Sequence, residues 1–180
     1  MLKIIVPATE LFDSRTNRFY HTKEQSLTLE HSLVSLSKWE SRWKKPFISQ
    51  KEKTNEELID YVRCMTITQN VSPLVYQCLS KDNFKAITDY MNDTMTATTF
   101  RNRPGGSSHE IVTAEVIYYL MTHFGIPFDP CQKWHLNRLL TLIPVCNEKS
   151  QPGKKMSASE IARENRALNS ARRKMLHSKG

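Results

Sequence analysis

The sequence predicts an α+β protein that is mainly α: a small N-terminal antiparallel β element, a helical body and a basic C-terminal helix. Three observations predict it. The first thirty residues alternate apolar and polar positions between turn formers. From Ser32 onward the apolar spacing changes to three and four, the helical period. Residues 108–124 are apolar on nearly every face, as a buried helix would be, and the rest of the chain is expected to pack around them.

Leu2–Val6 reads as a strand ended by Pro7. Leu11–Asp13 and Phe19–Thr22 flank the turn-rich residues 14–17 and predict a hairpin, and Leu27 and Leu29 extend the alternation to about Glu30. Leu33, Leu36, Trp39 and Trp43 then form a helical stripe that Pro46 stops. Two readings fit the tryptophans: a core-facing edge, which clustered aromatics favour, and an aromatic docking patch. Thr54 with Glu57 makes a capping box for a helix through Leu58, Ile59, Val62 and Met65. Ser72-Pro73 starts a short helix with Leu74, Val75 and Cys78, and Ser80 caps another with Phe84, Ile87 and Tyr90. Residues 91–107 have no period and read as the longest connection of the body.

Ser107 and Glu110 form a second capping-box pair at the head of the central apolar helix, which Gly125 and Pro127 end. Asp129 as N-cap and Pro130 as first helical residue open the next helix, with Trp134, Leu136, Leu139, Leu140 and Ile143 as its core line. So short a turn predicts an antiparallel αα-hairpin. Pro144 is expected to end or kink the second helix near Leu140–Ile143.

The expected organisation is a body over 1–146, a linker over 147–155 and a helical tail over 156–180, opened by Ser157 and Glu160. In residues 147–180, Lys149, Lys154, Lys155, Arg163, Arg166, Arg172, Arg173, Lys174 and Lys179 oppose Glu148, Glu160 and Glu164. Nine against three places about +6 of the net charge of +8 there, an asymmetry that points to an acidic partner. The tail's apolar line is thin: Ile161, Leu168 and Met175, spaced by seven. It fits a helix that docks on a partner groove or on the body, with a plain solvated helix as the simplest alternative. A nucleic-acid arm using Arg163, Arg166, Arg172, Arg173 and Lys174 is the less favoured reading, because no aromatics interleave the charges.

Enzymatic chemistry finds little support. Cys64, Cys78, Cys131 and Cys146 are widely spaced and read as buried free thiols. Cys131 and His135 share a helical face but lack the second ligand pair of a zinc site and any mark of an oxyanion hole. Pro104-Gly105-Gly106-Ser107 lacks the Gly-Lys-Ser/Thr ending of a phosphate loop and reads as a hinge. No metal, cofactor or catalytic residue is expected. The longest apolar run, Val116–Met121, is far short of the roughly 20 residues of a membrane span. A short apolar N-terminus makes no signal peptide, and a cytosolic location follows.

The strings LTLEHSLVSLSKWESRWKKPF (27–47), YVRCMTITQNVSP (61–73), MTATTF (95–100), EVIYYLM (115–121), CQKWHLNRLLTLI (131–143) and ENRALNSARRKMLHSKG (164–180) carry a resemblance that runs from end to end. They resemble the tail assembly chaperones of siphovirus-type tailed phages. The resemblance implies a non-enzymatic protein of the host cytoplasm that keeps the helical tape-measure protein soluble while tail-tube subunits polymerise around it. It implies the tape-measure and tail-tube proteins as partners, and leaves a homo-oligomer open. Helix-in-groove contact would then use Trp39 and Trp43, together with Ile161, Leu168, Arg172, Arg173 and Met175 of the tail. The alternatives are a phage nucleic-acid-binding or host-interaction protein acting through the basic tail, and a structural tail component of the virion.

Overall fold

The computed structural model describes residues 1–14, 17–49, 52–98, 111–150 and 158–176. The chain is α+β and mainly α, with all four strands at the N-terminus. β1 (Leu2–Val6) pairs antiparallel with β4 (Gln25–Leu29), and β2 (Thr9–Asp13) with β3 (Arg18–Thr22). Both ladders keep the same register, Val6 facing Gln25 and Thr9 facing Thr22, so they are two halves of one long hairpin. The break falls at Pro7, which has no N–H to give a ladder. Thr22 spans it from the other strand: its hydroxyl donates to the Thr9 carbonyl (3.0 Å) and accepts from the Thr9 N–H (3.2 Å). The inner half obeys strand alternation. Ile4, Val6, Leu27 and Leu29 are buried while Ile5 is exposed. The outer edge of β4 is occupied by residues 65–67: Glu30 N–H donates to the Met65 carbonyl and Ile67 N–H to the Thr28 carbonyl.

Side chains start the helices. Ser32 caps α1 (Leu33–Trp43) in a box with Ser35, Thr54 caps α2 (Asn55–Met65) with Glu57, and Ser80 caps α4 (Lys81–Asn92) with Asn83. α3 (Pro73–Gln77) starts on its proline without a side-chain cap. α1 packs on α2 and on α5 (Ala114–His123), with Leu33, Leu36 and Trp39 fully buried, and α4 packs on β1. α1, not the apolar run at 108–124, is therefore the element around which the body is arranged.

Five expectations are corrected in this region. α5 starts at Ala114, capped by Thr113, whereas Ser107 and Glu110 lie outside the described residues. It buries one face, Ala114, Ile117 and Met121, and leaves Tyr119 66% exposed. Asp129 opens no long helix: α6 is only the turn Phe128–Cys131, with Pro127 at its cap, and α7 (Leu136–Ser150) starts later. Residues 132–135 instead lie along the start of α1, where Leu136 N–H donates to the His31 carbonyl (2.7 Å) and Ser32 bridges His135. α5 has α1 as its main neighbour, so the antiparallel hairpin with the following helix does not form. Pro144 does not end α7, which continues to Ser150. The proline is exposed, so the Leu140 carbonyl that loses its bond is on the side open to solvent.

The chain divides into two compact units, Met1–Cys146 and Asn147–Gly180. Residues 147–150, expected in a linker, are the last turn of α7. Residues 151–157, with Ser157, lie outside the described set. α8 covers Ala158–Leu176. No helix among the described residues is long and apolar enough to cross a membrane.

Candidate interaction site

The two tryptophans, read from their spacing as a core-facing edge and from the resemblance as a docking pair, have different roles. Trp39 is fully buried and donates its indole N–H to the Glu57 carbonyl of α2 (2.9 Å), which removes it from any docking face. The reason is position: the Leu33, Leu36, Trp39 line faces α2 and α5, so the residue four further on sits at the rim. That residue, Trp43, is half-buried, stacks on Trp39 at 6.0 Å and donates its indole N–H to Asp60 Oδ2 (2.9 Å). Asp60 Oδ1 pairs with Arg42.

Trp43 edges a cleft of about 410 Å³ between α1, α2 and α3, lined on its apolar side by Ile59, Pro73 and Tyr76. A second cleft of about 400 Å³ shares Arg42 and Arg63 with it and adds Lys38, Ser41 and Cys64. Sequence reasoning missed this arrangement. Lys38 and Arg42, four apart on one helix, were a readable signal; Arg63 and Asp60 arrive from another helix and gave none.

α8 is the second candidate surface. Leu168 is 50% and Met175 84% exposed, and Arg163, Arg166, Arg172 and Arg173 are exposed. Ile161 lies on the same helix, in the expected register. A third apolar surface, not foreseen, is the cross-strand pair Phe12–Phe19 on the outer half of the ribbon, with ring centroids 4.8 Å apart and both rings more than half exposed.

The buried polar groups tie elements of the body together. Glu40 of α1 accepts from Phe47 N–H (2.9 Å) and Ala114 N–H (2.7 Å), tying the start of α5 to α1. Burial pushes its carboxyl above the usual range, and the two N–H groups oppose this. Glu57 accepts from Lys45 Nζ (2.6 Å) and Thr54 N–H (2.8 Å), and these bonds, Lys45 first, hold its carboxyl below the usual range. Behind β4, His31 Nδ1 meets Tyr61 Oη at 2.6 Å, and the His31 and His135 rings stand edge to face at 5.2 Å. Burial, and then the neighbouring His135, hold the His31 imidazole near pKa 3. Burial keeps the Tyr61 hydroxyl protonated, so the pair is a hydroxyl hydrogen-bonded to a neutral imidazole. His135 Nε2–H donates to the Tyr90 carbonyl (2.9 Å), which leaves its buried Nδ1 without a partner. Tyr90 in turn donates to Glu30 (2.7 Å), which pairs with the N-terminal amine (3.1 Å).

Cys131 and His135, expected on one helical face, straddle the end of α6, and both are buried. Cys64, Cys78 and Cys131 are buried free thiols, and Cys146 is a half-buried one. Among the described residues no group of three or more His, Cys, Asp or Glu is placed to hold a metal ion. No family model, curated protein or solved structure matches the chain.

Proposed function

We propose that this chain is a non-enzymatic tail assembly chaperone of a tailed phage, acting in the host cytoplasm, which binds the tape-measure protein through α8 while tail-tube subunits assemble. The observation that carries the reading is α8 itself: a 19-residue helix that keeps Leu168 and Met175 in solvent among exposed arginines. Exposed apolar side chains on an otherwise polar helix are what a helix-in-groove contact uses. A tape measure is a long apolar helical client that aggregates unless covered. The end-to-end likeness of the strings given above supports the same role.

Co-expression tests it. A siphovirus-type tape-measure protein is expected to move from the pellet to the soluble fraction when the chain is present, and to co-purify with it. A tape measure equally soluble without it, with no complex formed, sinks the proposal. The exposed arginines favour one second reading, a nucleic-acid arm. That reading predicts binding to generic DNA with a log–log salt slope of about −0.9 per phosphate contacted.

A further inference from the structure

We propose that the cleft between α1, α2 and α3 docks an acidic segment of a partner protein that inserts one apolar side chain beside Trp43. This goes beyond the tail-centred reading and holds whether or not α8 binds a client.

The site joins the two adjoining clefts that share Arg42 and Arg63, and its two ends differ in chemistry. At one end Trp43, Ile59, Pro73 and Tyr76 offer aromatic and aliphatic walls. Asp60 holds the Trp43 indole and the Arg42 guanidinium in place, so this end is ordered before anything binds. At the other end stand Lys38, Arg42 and Arg63. All three bear on the Cys64 thiol, against the burial that raises its pKa. Arg42 is paired to Asp60, whereas Lys38 and Arg63 have no ion-pair partner among the described residues. Two uncompensated cations beside a pre-ordered aromatic pocket call for carboxylates on the ligand.

The same features decide among occupants. α8 carries Arg163, Arg166, Arg172 and Arg173, the sign of the cleft itself, and is disfavoured by charge. A polynucleotide needs cations along a track, but Glu56 and Asp60 line the apolar end and would repel its phosphates. An acidic peptide places its carboxylates at Lys38 and Arg63 and its apolar anchor between Trp43 and Tyr76.

The test is titration of the ¹⁵N-labelled full chain with a short capped peptide of glutamate, leucine and phenylalanine. Saturable shifts are expected at the Trp43 indole N–H and at Lys38 and Arg63. Lys38→Glu with Arg63→Glu should weaken binding about tenfold or more, because it turns attraction into like-charge repulsion. Lys38→Gln with Arg63→Gln, which changes only exposed side chains, should weaken it less. A variant with Ser at Ile161, Leu168 and Met175 should bind the peptide as the parent does, which separates this site from the tail. Any of four results overturns the proposal: no saturable binding, equal binding of the peptide with glutamine for glutamate, equal shifts with oligothymidylate, or concentration-dependent shifts of the same signals without peptide. The last would assign the cleft to a second copy.

Discussion

His31 makes the fold sensitive to mild acid. Its imidazole is buried against Tyr61 and His135, close to the Tyr90–Glu30 pair, and its pKa lies near 3 against an ordinary 6.5. The folded chain thus refuses a proton that the unfolded chain accepts. Stability from this group is intact above about pH 6.5 and is lost as pH falls toward 3, by at most about 1.4 kcal/mol per pH unit. Gln at position 31 keeps an acceptor for the Tyr61 hydroxyl and does not titrate. His31→Gln is therefore expected to shrink the stability difference between pH ~7 and pH ~5, read by urea unfolding, by about 2 kcal/mol. Parallel pH dependences in the two proteins would show that His31 is not the titrating group. Nothing in the sequence around His31 marked this cluster, because Tyr61, Tyr90 and His135 reach it from three separate segments.

Single-element features divide by whether their cause is local. Thr54 with Glu57 and Ser80 were legible because a capping box is completed within four residues. Ser32 with Ser35 closes the same box with a serine, outside the usual Glu or Gln pattern. Which face of an apolar helix is covered depends on distant neighbours, so α5 looked buried all round yet buries only Ala114, Ile117 and Met121. The two faces should respond oppositely to a charge. Ile117→Asp puts an unpaired carboxylate in the core and should abolish soluble folding. Tyr119→Asp, on the exposed face, should stay within about 0.5 kcal/mol of the parent by thermal or urea unfolding. Soluble Ile117→Asp with an unchanged midpoint would show that α5 does not pack as described. The same locality explains the cleft beside Trp43. The Trp39–Trp43 pair was visible at helical spacing, but only the packing of α2 and α3 shows that Trp43 alone borders a cleft and that Arg63 joins Lys38 there.

Across the whole molecule the body holds about +2 and residues 147–180 about +6 of the net +8, and the chain divides into units at the same place, after Cys146. In the proposed function these units take separate tasks: the nearly neutral, well-packed body would keep its fold while α8 exchanges solvent for a partner. Charge on such a helix speeds encounter, and apolar contact sets how long the complex lasts. The central claim is that α8 binds its client through Ile161, Leu168 and Met175, with the arginines assisting. The most direct test is the affinity of full-length variants for tape-measure fragments across a salt series. Ser at all three apolar positions should cost about tenfold or more in affinity at every salt concentration. Gln at Arg172, Arg173 and Lys174 should weaken binding mainly at low salt, through a slower on-rate. If the triple Ser variant captures the tape measure at parental affinity, while the Gln variant loses binding with a steep salt dependence, the docking-helix account is contradicted.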